Sequence, residues 1–257
     1  MHDIRELYHI AESAIAGAEK IFCAGIHRQT VQELKARGDF ATDIDLEIER
    51  YLRTHLYEAT GITVVGEEYG GQQGSPQWVV DPIDGTANYA THNPMSAILL
   101  SLLIDDQPVV ALTAMPLLSQ TFGAYKNSPL LCNGQPYQYN MRSRRRCAHV
   151  GIGAMGSAHD EIPSSARQEI FQRLCTTSLR PRITGSVGID LAYAAAGIFD
   201  AAISFSPNIW DNAAGVLLVQ AAGGVVSDLS GKPWHPGACG LVAGSAVAHE
   251  EIMSVLA

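Results

Sequence analysis

The run Trp78-Val79-Val80-Asp81-Pro82-Ile83-Asp84-Gly85-Thr86 sets two carboxylates and a glycine-threonine turn at the end of a short apolar stretch. Val79 and Val80 read as the end of a buried strand. Pro82, which has no N–H for a ladder, is expected to turn the chain there. Asp81, Asp84 and the intervening Ile83 carbonyl can then converge on one point, a set of oxygen donors that suits a hard divalent cation such as Mg2+. Gly85 lets a backbone approach a ligand closely, and Thr86 adds a hydroxyl and an N–H. A helix starting at Thr86 would turn its free N–H groups toward an anion. Asp84-Gly85 alone would be an ordinary turn; the whole run points to a site for cations and phosphate.

Two further acidic positions belong to the same pattern. Gly66-Glu67-Glu68 follows the apolar Ile62-Thr63-Val64-Val65, and Trp210-Asp211-Asn212-Ala213-Ala214-Gly215 sets an acid just ahead of a helical stretch. Singly these read as a solvated loop and a helix N-cap. Together, three apolar segments end in carboxylate, and strand ends are where α/β proteins gather ligands. Like charges drawn together repel, so the cluster implies cations that neutralise it.

The elements that must position these groups are legible from periodicity. Ile4 to Phe22 and Ile44 to Leu56 carry helical apolar spacing, and Arg37-Gly38-Asp39-Phe40 between them reads as a mobile loop. Mostly antiparallel strands follow, from Val64 through Val80, then Ile98 to Ile104, Val109 to Met115 and Thr121 to Tyr125. Beyond the basic Arg142 to Arg146 stretch the pattern alternates. His149 to Gly153, Ala201 to Phe205 and Val225 to Ser227 read as strands; Ser164 to Cys175, Val187 to Gly197 and Asn212 to Ala222 read as helices. A boundary near Arg142 divides the chain into an N-terminal α+β half, 1–141, with the acidic motifs and a smaller α/β half, 142–257, both packed around one site.

Composition restricts the function classes. With 257 residues, 47% hydrophobic and 17% charged, the chain can bury a large core as an ordinary globular protein. A net charge of −9 argues against broad nucleic-acid binding. Cys23, Cys132, Cys147, Cys175 and Cys239 lack the spacing of a disulfide framework or zinc site and suggest reduced thiols in a cytoplasm. Asp3, Arg5 and Glu6 stand where a signal peptide would be apolar, and the longest apolar patches are too short to span a membrane. His235, beside Trp234 and Pro236, reads as a loop residue, and Trp210 as a packing anchor.

The motifs in order, Ala41-Thr42-Asp43, Gly66-Glu67-Glu68, Asp81 to Thr86 with Asn88-Tyr89, Asn133-Gly134-Gln135-Pro136, Trp210-Asp211 with Ala213-Ala214-Gly215, and Ala221-Ala222-Gly223-Gly224, span nearly the whole chain. This set resembles the inositol monophosphatase family, part of a larger group of metal-dependent, lithium-sensitive sugar-phosphate and nucleotide phosphatases. The resemblance implies an α/β fold, a layered αβαβα sandwich with a largely antiparallel N-terminal sheet. It implies that Glu67, Asp81, Asp84, Asp211 and the Ile83 carbonyl hold two or three Mg2+ ions. Asp43 and Thr86 would orient the attacking water, with Glu67 also catalytic, and the N–H groups of Gly85 and Thr86 would cradle phosphate. Gly185-Ser186-Val187 would line the leaving-group side, with Asp211 and position 204 also facing substrate.

That chemistry suits the residue types. Metals screen a phosphate monoester's charge, activate a bound water and stabilise the leaving alkoxide. The chain has neither a Cys followed by five residues and Arg nor an Asp-x-Asp nucleophile in its Asp-Pro-Ile-Asp run, so direct in-line attack by water with inversion is expected. The resemblance also implies an acid for sugar hydroxyls seven positions before Asp211, where this chain has Ser204. Histidinol phosphate, fructose bisphosphate and nucleotide phosphates are therefore alternatives to an inositol-type polyol phosphate. The resemblance further implies a homodimer acting on a small phosphorylated metabolite. A competing class is a regulatory relative working through RNA polymerase or RNA, with Arg142 to Arg146 as its contact.

Overall fold

The computed structural model describes residues 3–26, 28, 32–36, 39–138, 148–156 and 161–257. The Arg142 to Arg146 stretch and the boundary drawn through it lie outside the described residues, as do Arg37, Gly38 and Cys147. In chain order the first elements are α1 (Ile4–Gly25), β1 (Gln32–Ala36), β2 (Asp39–Thr42) and α2 (Asp43–Thr60). Asp39 and Phe40, expected in a loop, belong to β2, which pairs antiparallel with β1. Both expected helices form and run longer than the periodicity alone suggested. α2 starts sharply because Thr42 and Asp45 cap it reciprocally. Asp45 N–H donates to Thr42 Oγ1 at 3.4 Å, and Thr42 N–H donates to Asp45 Oδ2 at 2.8 Å.

A seven-stranded sheet follows in sequence order: β3 (Val64–Gly66), β4 (Gln77–Asp84), β5 (Ala97–Ile104), β6 (Gln107–Met115), β7 (Gln120–Tyr125), β8 (Leu131–Cys132) and β9 (Gln135–Pro136). β3 is parallel to β4, and every later pair is antiparallel. The short helix α3 (Thr86–Ala90) links β4 to β5. The remaining chain forms β10 (Ala148–Ile152), α4 (Ser164–Cys175), β11 (Leu179–Arg182), α5 (Val187–Ala196), β12 (Ala201–Ser204), α6 (Ile209–Ala221), β13 (Val225–Ser227), β14 (Leu241–Gly244) and α7 (Ala246–Leu256). Its five strands pair in the order β11-β10-β12-β14-β13.

Alternation along the strands builds five layers, α-β-α-β-α. Trp78 and Val80 point with Ile98, Leu100 and Leu112 toward Ile15, Phe22, Ile48 and Leu52 of α1 and α2. Val79, Leu99 and Ala111 point the other way, onto Ile189, Leu191, Ala214 and Leu218 of α5 and α6. Ala202, Leu241 and Ala243 of the second sheet close on those helices from their far side. Val150, Ile152, Ile203 and Val242 then face Leu174 of α4 and Ile252 of α7. Each fully buried side chain of this size contributes about 1.5–3 kcal/mol, so packing rather than helix propensity holds these elements. α5 and α6 meet closely at Gly215, where an added Cβ would stand 2.4 Å from the Leu191 side chain. Among the described residues no helix is long and apolar enough to cross a membrane, and Cys23, Cys132, Cys175 and Cys239 are free thiols.

Candidate active site

Pro82 does not end its strand. β4 runs to Asp84 with a shift of register: Asp81 faces Leu99 and Asp84 faces Ala97, so two β4 residues stand where β5 has one. The bulge absorbs the missing proline N–H and re-aims the two acids. Gly85, at φ +83°, caps α3, and the Thr86 hydroxyl donates to the Ile83 carbonyl at 3.0 Å. An added Cβ at Gly85 would stand 3.0 Å from Met95 O and 3.2 Å from Gly185 O, which places the Gly85 turn against the 184–186 segment. Asn88 staples the same two segments, donating from Nδ2 to Met95 O at 2.6 Å and Thr184 O at 2.9 Å.

That segment holds Asp84. Ser186 caps α5, accepting the Ile189 N–H, and its hydroxyl donates to Asp84 Oδ2 at 2.5 Å; Gly188 N–H donates to the same oxygen at 2.6 Å. Burial pushes Asp84 up to about 6, against the Ser186 and Gly188 donors that pull it down. Asp211 lies in the first turn of α6 rather than ahead of it, since Asn208 is the N-cap. Its Oδ2 accepts from the Ser206 hydroxyl and, at 3.4 Å, from Asn208 Nδ2. Burial chiefly, then Asp84, raises Asp211 to about 7 against the Ser206 bond.

Asp81 is 2% exposed, and burial chiefly, then Glu67, Asp84, Asp211 and Asp45, hold its carboxyl well above the usual carboxylate range. Glu67 is partly buried on the turn after β3, its N–H bonded to Val80 O at 3.2 Å beside Asp81. The expected acids thus face one region and sense one another's charge. Among the described residues no three His, Cys, Asp or Glu side chains form a ready-made metal-holding group. The fit to a cation rests instead on Asp81 Oδ1, buried and without a hydrogen-bond partner among the described residues. Such an oxygen beside further carboxylates lacks a positive partner, and a hard cation is the partner its chemistry suits.

Three expectations are redrawn. Asp43 is exposed at the start of α2, and it is Asp45, fully buried one half-turn on, whose Oδ1 stands 3.4 Å from the Thr86 hydroxyl. Ser204 is 1% exposed at the end of β12, and its hydroxyl accepts the Ser206 N–H at 3.2 Å, so its side chain is engaged with backbone. Ser186 is buried and engaged with Asp84, whereas Gly185 beside it is exposed. Sequence reasoning also missed Ser206 and Glu49. Ser206 lies two residues past a strand and carries no spacing signal. Glu49 follows Asp45 at helical i,i+4 spacing, a signal that was available.

The model of the inositol monophosphatase family matches residues 3–257. A probable inositol 1-monophosphatase ImpA of Mycobacterium tuberculosis is 41% identical over 256 residues, covering 98% of this chain and 94% of its own. The inositol-1-monophosphatase ImpA of Mycolicibacterium smegmatis is 43% identical over 249 residues, covering 96% and 90%. The crystal structure of the extragenic suppressor protein suhB from Bartonella henselae matches with a TM-score of 0.88 at 23% identity, over 96% of this chain and 97% of that one, a likeness of fold.

Proposed function

The chain belongs to the inositol monophosphatase family and is a phosphoric monoester hydrolase, and we propose that it cleaves inositol 1-phosphate or a similar polyol phosphate with Mg2+ held among Glu67, Asp81, Asp84, Asp211 and the Ile83 carbonyl. The family is metal-dependent, and these donors would hold two or three Mg2+ ions. The observation that carries it is the unpartnered Asp81 Oδ1 among the other acids. Bound there, Mg2+ would screen the phosphate charge, acidify water and stabilise the leaving alkoxide.

The chain's own residues supply the positioning. The Thr86 hydroxyl, between Ile83 O at 3.0 Å and Asp45 Oδ1 at 3.4 Å, orients the attacking water, and Asp45 rather than Asp43 is the acceptor behind it. The N–H groups of Gly85 and Thr86 cradle the phosphate at a turn that glycine keeps open. Ser186 and Gly188 fix Asp84, and Ser206 and Asn208 fix Asp211, so these ligands need little rearrangement. Gly185 faces the leaving group. Glu67, Asp81 and Asp84 come from the half proposed at 1–141, and Ser186 and Asp211 from 142–257.

The ImpA relatives support inositol 1-phosphate as the first choice. Ser204 raises no objection to it, because a buried serine bonded to backbone makes no substrate contact for an acid to replace. A cytoplasmic homodimer, suggested by the resemblance and the thiol pattern, completes the reading, with light scattering as its check. Phosphate release from inositol 1-phosphate, histidinol phosphate, fructose bisphosphate and a nucleotide phosphate, with and without Mg2+, tests the substrate. Inositol 1-phosphate should be turned over fastest, and only with Mg2+; preference for another ester would replace the substrate assignment.

A further inference from the structure

Glu49 lies on α2 with no exposed surface, although a glutamate is almost never fully buried unless paired. Its two oxygens collect three donors. Oε2 accepts Glu68 N–H at 2.7 Å, while Oε1 accepts Tyr69 N–H at 3.0 Å and Arg53 Nε at 2.8 Å. The Arg53 guanidinium goes on to Val64 O at 2.9 Å and to Gly70 O, one on each limb of the turn between them. Gly66 closes that turn by bridging to Gly70, and a Cβ at Gly66 would fall 2.2 Å from Glu49 Oε1. A side chain at Gly66 would therefore push the Glu49 carboxylate out of the position in which it collects these donors.

Glu67 sits at the middle of this arrangement. Its own N–H is tied to Val80 O, next to Asp81, and the two residues after it are tied to Glu49. The guanidinium carbons of Arg50 and Arg53 each lie 5.9 Å from the Tyr69 ring centroid. We propose that Glu49 and Arg53 are positioning residues that clamp the 66–70 turn, presenting Glu67 to the cation and thereby setting Mg2+ affinity without touching substrate. The proposal rests on the reading of Glu67 as a metal ligand. A clamp of this kind needs a carboxylate: a glutamine has one acceptor oxygen and cannot take N–H groups at both ends of its head. Lysine, a single point charge, cannot reproduce the guanidinium fork that bridges Val64 and Gly70.

Titration of the metal-free full chain with MgCl2 by calorimetry tests this, on the parent, Glu67→Gln, Glu49→Gln, Arg53→Lys and the Glu49→Gln/Glu67→Gln double variant, with urea unfolding as the control for folding. Loss of a group that orients a metal ligand weakens metal binding on the order of ten- to a hundredfold, the change expected for Glu49→Gln and Arg53→Lys. At saturating Mg2+ the substrate KM should stay near parental. The double variant should bind Mg2+ no more weakly than Glu67→Gln alone, because the clamp acts only through Glu67. Should Glu49→Gln fail to fold, Arg53→Lys carries the test. A Glu67→Gln chain that binds Mg2+ like the parent would overturn the metal reading itself. With Glu67→Gln weakened, parental affinity in the clamp variants, or additive losses in the double variant, would overturn the clamp alone.

Discussion

Asp84→Asn separates charge from shape at the centre of the site. The amide oxygen can still accept from Ser186 and Gly188, which both meet Oδ2 in the parent, while the negative charge is removed. In the parent, burial raises this carboxyl from 3.8 to about 6. A carboxyl whose folded-state pKa is raised favours the native state below the unfolded value, and that advantage is lost as pH climbs through the folded value. At about 1.36 kcal/mol per pKa unit, the metal-free parent at pH near 8 should carry a penalty on the order of 3 kcal/mol that Asp84→Asn lacks. For a chain of this size that corresponds to a melting temperature higher by roughly 6–12 °C. The assay is thermal unfolding in EDTA at several pH values. The variant should gain most at high pH, the gap should close near pH 4, and Mg2+ should stabilise the parent and not the variant. A variant less stable than the parent at high pH without metal, or a gap independent of pH, would refute the reasoning.

Asp45→Asn should lower kcat on the order of 10²-fold or more at saturating Mg2+, as loss of a proton acceptor does, while Asp43→Asn stays near parental; steady-state kinetics that reverse this order would restore Asp43. Ser204→Glu would bury a carboxylate at a position 1% exposed, so urea unfolding should show a loss of about 3–5 kcal/mol, the scale of an uncompensated buried charge. A stable Ser204→Glu chain with altered substrate preference would return position 204 to the pocket. Thr184 joins the buried Asp190 to the 184–186 segment, its hydroxyl 2.8 Å from Asp190 Oδ1 and 3.0 Å from Ser186 O. Thr184→Val should therefore cost about 1–3 kcal/mol of stability by leaving Asp190 unsatisfied, and unchanged unfolding would make that link incidental.

The 81–86 run was readable because it compresses ligand types, a glycine and a helix start into one short stretch, and the α1 and α2 faces were readable because Ile44, Ile48, Leu52 and Leu56 keep strict helical spacing. Other features depend on tertiary placement. Asp43 and Asp45 both follow Thr42, and the Ala-Thr-Asp order favours Asp43. The capping bond that turns Asp45 inward was signalled only by the Thr42-x-x-Asp45 spacing. β11 carried no strand signal, because Arg180, Pro181 and Arg182 break any apolar alternation; it is an edge strand, where proline and charge are tolerated. β14, four residues ending in Gly244, is too short to show a period. The backbone bond of Ser204 was not legible either, because counting back from Asp211 fixes a position along the chain but not the direction in which β12 turns its side chain.

Asp81, buried with one oxygen unpartnered among the described residues, is the group on which the proposed Mg2+-dependent phosphomonoesterase activity turns. Phosphate release from inositol 1-phosphate by the parent and by Asp81→Asn, each titrated with Mg2+ from none to saturation, tests it most directly. The account predicts turnover in the parent that rises from nothing with Mg2+, and none in Asp81→Asn at any Mg2+ concentration although the variant remains folded. Near-parental turnover by Asp81→Asn at saturating Mg2+, or full parental activity in EDTA, would contradict it.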